Sequence, residues 1–134
     1  MTEQNPHLTI TLTGARPIKI LRADWPIIAE ATEHLWEGEH EFQSYRHSRA
    51  SLRVRQHADG RAIVYGAYHY ETQWQGERSY TVRGGDALHA GDEIADAIAS
   101  VARDLAGRIW EDRFGLDMIE LGQKCMADLP AVEV

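Results

Sequence analysis

The chain has 134 residues, 43% apolar, 26% charged and 8% aromatic, a composition that suits one globular domain able to bury a core without a metal or a disulfide. With 21 acidic and 14 basic residues the formal charge is -7, which excludes a general nucleic-acid coat or an anionic-membrane binder, since both need net positive potential. The lone cysteine, Cys125, has no internal partner, no structural-zinc spacing occurs, and the polar start lacks signal-peptide or membrane-span character, so the cytoplasm is the expected compartment.

Leu8, Ile10 and Leu12 alternate with threonines, the period-two pattern of a half-buried strand. Residues 14–17 punctuate, and residues 18–22 read as a second strand that folds back in a hairpin. Asp24 as N-cap, Pro26 in the first turn, and Ile28, Ala31 and Leu35 at helical spacing predict a helix over residues 24–36. The charged stretch 37–51 reads as a surface loop with a short strand around 42–46. Residues 51–57 and 62–71 alternate on either side of Asp59-Gly60, predicting a β-hairpin with a two-residue turn. A turn at Gln75-Gly76-Glu77 and a strand over 78–83 complete a three-stranded antiparallel meander.

Gly84-Gly85 and Gly91 then frame a loop, and Asp92 caps a helix whose Ile94, Ile98, Val101, Leu105 and Ile109 form one apolar stripe. Gly107 marks a bend or an end, with residues 109–114 completing or restarting the helix. Asp117 and Glu120 have the spacing of a capping box for a last helix that buries Met118, Leu121, Cys125 and Leu129 and stops at Pro130. No repeat or linker divides the chain. The expectation is a single α+β domain over residues 1–134, with an antiparallel sheet of about five strands in the order β-β-α-β-β-β-α-α and the Asp92 helix packed across one face.

The charge is unevenly spread: residues 1–42 hold 7 acids and 3 bases, residues 43–83 hold 3 acids and 7 bases, and residues 84–134 hold 11 acids and 4 bases. On a two-residue turn Val54 lies opposite Tyr65 and Arg55 opposite Val64. That register puts Leu52, Val54, Ile63, Tyr65 and Ala67 on the core face and Arg53, Arg55, His57, Tyr68 and Tyr70 on the other. Such a face holds phosphates on its arginines and stacks planar groups on its tyrosines, or else is a solvated sheet surface of cross-strand Arg and Tyr neighbours. Trp74, at a turn between two glutamines, is either an interface anchor for a homodimer or another partner, or a side chain folded over the sheet edge.

Other chemistry has less support. His34 with Glu37, and Glu39 with His40 and Glu41, supply metal-ligand atoms without the paired spacing of a zinc helix, so no metal and no cofactor is expected. His57, His69 and Glu71, with Arg55 as anion anchor, contain the groups for phosphodiester cleavage, but the register separates the two imidazoles along the strands and places them on opposite faces. There is no nucleophile elbow, Arg83-Gly84-Gly85-Asp86 lacks the frame of a phosphate loop, and Cys125 reads as a small apolar filler.

The run Arg53-Val54-Arg55-Gln56-His57-Ala58-Asp59-Gly60-Arg61-Ala62-Ile63-Val64-Tyr65-Gly66, followed by Trp74-Gln75-Gly76-Glu77 and Arg83-Gly84-Gly85, resembles a family of short proteins carried by bacteriophages, prophages and other mobile elements. The similarity covers roughly the middle half of the chain and rests on a hairpin and its turns. No activity is assigned to that family, so no catalytic residue carries over. The resemblance implies a cytoplasmic accessory protein that binds and blocks a host or element-encoded complex, one bearing nucleic acid included, as anti-CRISPR proteins do. The binding residues expected from the two readings together are Arg53, Arg55, His57, Tyr68, Tyr70 and Trp74.

Overall fold

The computed structural model describes residues 5–39, 44–72, 79–109 and 117–131. The chain forms β1 (His7–Ile10), β2 (Ile18–Leu21), β3 (Ile27–Glu39), β4 (Ser44–Gln56), β5 (Ala62–Thr72), β6 (Ser79–Leu88), α1 (Ile94–Arg108) and α2 (Met118–Ala127). It is an α+β architecture. Strands β1 and β2 pair as an antiparallel ribbon, and β3-β4-β5-β6 form a four-stranded antiparallel meander. Among the described residues no helix is long and apolar enough to cross a membrane.

The inner face of the meander carries Leu52, Val54, Val64 and Tyr68, which pack against Ile98, Val101 and Leu105 of α1 and Met118, Leu121 and Cys125 of α2. The predicted stripe of α1 is therefore the core stripe. Desolvation pushes the Cys125 thiol up to about 11, with the carboxylates of Asp128 and Glu30 adding to the effect, consistent with an inert filler. The ribbon lies on the outer face near the hairpin turn, where Ile10 and Ile20 bury against Ile63, with Trp25 and Tyr65 alongside.

The expected helix over 24–36 is instead the edge strand β3, preceded by one 3-10 turn at Arg22–Asp24. Ile28, Ala31 and Leu35 fit a helical stripe, but Ala29, Ala31 and Leu35 also fit a period of two, and a continuous ladder from Ala29↔Val54 to Glu39↔Ser44 realises the second pattern. The intrinsic helix preference of Ala, Glu and Leu yields to cross-strand pairing and burial. Asp128, just past α2, accepts the backbone N–H of Glu30 at 2.9 Å and so covers part of this edge. Residues 47–50, expected in a loop, belong to β4, which joins the short strand expected around 42–46 to the one expected from 51.

The β4–β5 hairpin is present with a longer loop than expected. His57 N–H donates to Arg61 O at 2.9 Å and Gly60 N–H to His57 O at 2.9 Å, leaving Ala58-Asp59-Gly60 as a three-residue loop with Gly60 at φ 97°. The register becomes Val54↔Val64 and Arg55↔Ile63. One extra loop residue exchanges the faces of β5 relative to β4.

Two smaller expectations also change. Gly84-Gly85 lies inside β6, where the segment after β1 approaches: Thr13 N–H donates to Gly85 O at 2.9 Å, and Thr13 Oγ1 accepts from Gly85 N–H at 3.2 Å. Asp92 does not cap α1; its carboxylate accepts from His89 N–H at 2.9 Å, closing the preceding turn, and Glu93 is the cap residue without a side-chain bond. Asp117 does cap α2, accepting from Ile119 N–H at 2.9 Å and Glu120 N–H at 3.3 Å. The expected turn at 75–77, with Trp74, lies outside the described residues.

Candidate functional site

Pairing across the meander sets the outer face in rows. Glu30, Arg53, Tyr65 and Gly85 form one, Thr32, Ser51, Ala67 and Arg83 the next, and His34, Arg49, His69 and Thr81 a third. The middle row is built mainly of short side chains, so the longer ones around it enclose a depression of about 500 Å³ lined by His34, Arg49, Arg53, His69 and Arg83. A second depression of about 350 Å³ shares Ser51, Arg53, Ala67 and Arg83 with the first and adds Tyr65 and the ribbon residues Thr9 and Thr11. The two make one groove between the sheet and the ribbon.

Its electrostatics are dominated by arginine. Arg53 Nε donates to Glu30 Oε2 at 3.1 Å, a half-exposed pair that solvent screens. The guanidinium groups of Arg49 and Arg83 are exposed, and among the described residues neither makes a close ion pair, although the charge of Arg49 is felt by the Glu71 carboxylate. Beyond the His34 row, the His47 ring pairs with Glu71 Oε1 at 2.8 Å through Nδ1, and its Nε2 is hydrogen-bonded to His34 Nε2. The His47 hydrogen bond, against a desolvation effect of opposite sign, holds the Glu71 carboxyl below its usual range. His69 Nδ1 is 2.7 Å from Thr81 Oγ1.

The expected binding residues are dispersed by the register change. Arg53 lines the groove. Arg55 is 7% exposed and committed, its Nε donating to Tyr65 Oη at 2.8 Å and its Nη1 to Trp25 O at 2.9 Å. His57 sits at the hairpin loop with its ring 5.0 Å from that of Trp25 and its Nδ1 accepting from Asp59 N–H at 3.1 Å. Tyr68 and Tyr70 are core residues at 0% and 7% exposure, and the Tyr68 hydroxyl shares a 3.2 Å hydrogen bond with buried Ser48. Trp74 lies outside the described residues.

Tyr65, assigned to the core from sequence, is instead on the arginine face, and Arg49, Arg83, His34 and His69 join it there. A three-residue loop closed by a left-handed glycine was the available signal: Asp-Gly serves that loop as well as a two-residue turn.

The acid–base set reads differently in three dimensions. His69 shares the outer face with Arg55 and His57, but it lies eight residues beyond Arg61, the partner of His57 across the loop, which is about 26 Å of strand. With Arg55 buried and bonded to Tyr65 and Trp25, these groups do not converge. Of the proposed metal-ligand residues, His40 and Glu41 lie outside the described residues, and no cluster of three or more His, Cys, Asp or Glu able to hold a metal occurs among the described ones. Comparison with protein-family models, curated proteins and solved structures finds no match.

Proposed function

We propose that this is a non-enzymatic binding protein of the cytoplasm, an accessory or inhibitory factor of a mobile element in the manner of anti-CRISPR proteins, which engages an anionic host or element-encoded partner through the outer-face groove. The observation that carries the reading is the gathering of Arg49, Arg53 and Arg83 on one open sheet face of a chain whose net charge is -7. A basic groove on an acidic molecule gives electrostatic steering toward one surface and repulsion elsewhere, which favours a specific partner over general polyanions. Arginine suits this role because its planar fork binds carboxylate or phosphate through two parallel hydrogen bonds.

Affinity capture from bacterial lysate, with and without nuclease, tests this reading with wild type and an Arg49→Ala/Arg83→Ala variant. Both positions are exposed, so the variant keeps its fold. A partner captured by wild type and lost by the variant is the expected result. Equal capture by both proteins would place the interface elsewhere.

A further inference from the structure

Resting on the binding reading above, we infer that the groove takes single-stranded nucleic acid, with Arg49, Arg53 and Arg83 on the phosphates and the Tyr65 ring as a stacking platform. Three features point to a strand. First, the two depressions share Ser51, Arg53, Ala67 and Arg83, so the site is a continuous channel and not a closed pocket for a small ligand. From the Arg53 row to the Arg49 row is four residues of β4, about 13 Å, a length that spans more than one phosphate. Second, the channel is lined by three arginines and no lysine, and its floor is short side chains, Ser51 and Ala67 among them, that let a backbone approach closely.

Third, Tyr65, which lines the channel, is held in place. Arg55 donates to its hydroxyl and is itself bonded to Trp25 O, and Tyr65 pairs across the strands with Arg53 while packing against the cluster of Ile10, Ile20 and Ile63, so the ring is fixed between the ribbon and the channel. A basic groove beside an aromatic face is the combination by which sequence-tolerant single-strand binding proceeds. An acidic peptide satisfies the arginines but leaves the ring without a flat partner. A duplex brings a second row of phosphates toward Glu30 at the β3 rim.

Fluorescence anisotropy with a labelled oligo(dT) of about ten nucleotides tests the inference at low salt. Wild type is expected to bind, and Arg49→Ala/Arg83→Ala to bind at least about tenfold more weakly, with the salt slope reduced by about 1.4 for the two lost charges. Tyr65→Phe, which keeps the ring, is expected to retain more affinity than Tyr65→Leu, with thermal melts confirming that both remain folded. Absence of binding, equal binding by the arginine variant, or poly-glutamate competing as well as unlabelled oligo(dT) would each overturn the nucleic-acid assignment. Should capture from lysate still depend on Arg49 and Arg83 in that event, the binding face would stand and its partner would be an acidic protein.

Discussion

Tyr65 and Tyr68 are three residues apart on β5 and face opposite sides of the sheet. Tyr68 is fully buried against the helices, and its hydroxyl is satisfied by Ser48, so its removal leaves a cavity and an unpartnered polar atom at once. Tyr68→Ala is therefore expected to cost about 3–5 kcal/mol in denaturant unfolding. A loss under about 0.5 kcal/mol, the usual effect at a solvated position, would restore Tyr68 to the surface and undo the observed register. Arg55 makes the same point for charge. Its sequence context marks it as a ligand-binding arginine, yet its donors hold the Tyr65 hydroxyl and the Trp25 carbonyl. Nothing in the residue type distinguishes an arginine that braces a ring from one that faces solvent; only its partners do.

At the scale of elements, the groove depends on how the ribbon is seated. The segment after β1 reaches Gly85 so closely that a Cβ there would stand 2.9 Å from both Thr11 O and Val64 O and 3.0 Å from Tyr65 Cβ. Because two of those neighbours are backbone oxygens, Gly85→Ala must displace either the ribbon or β5. The expected destabilisation is about 1–3 kcal/mol in thermal or denaturant melts, as for overpacked interiors. A melt unchanged from wild type would show that the ribbon does not close on β6 in this way.

The same scale explains what was legible in the sequence. The α+β class, α1 with its stripe, the Asp117 cap, β1 and β2, and the hairpin itself follow from local periodicity and turn chemistry. Strand β3 did not, because Ala31 and Leu35 fit a helical stripe with Ile28 and a period of two with Ala29, and the ladder that decides between them is made with a distant segment. The hairpin faces did not, because loop length sets parity and Asp59-Gly60 fits two lengths.

Across the whole molecule, the division of charge was visible along the chain, and folding sharpens it. Three of the seven bases in residues 43–83, Arg49, Arg53 and Arg83, gather in the groove, while the solvent side of α1 shows Asp96 and the end of α2 shows Asp128. Which arginines make the groove was not visible, since Arg49 lay in a stretch that read as loop and Arg83 at the end of a strand that proved longer. The arrangement makes one surface attractive to anions on a molecule that otherwise repels them, with Asp104 tied to Arg108 at 2.6 Å beside Gly84 rather than free to cancel the groove arginines.

The most direct test is to map amide chemical shifts while titrating pyrophosphate, a small polyanion that reports where anions collect whatever the partner. Perturbations are expected to centre on Ser51, Arg53, Ala67 and Arg83, in three adjacent strands, and to be nearly absent from α1 and α2. Perturbations centred on the loop from His57 to Arg61, or none on the outer face, would contradict an outer-face anion site.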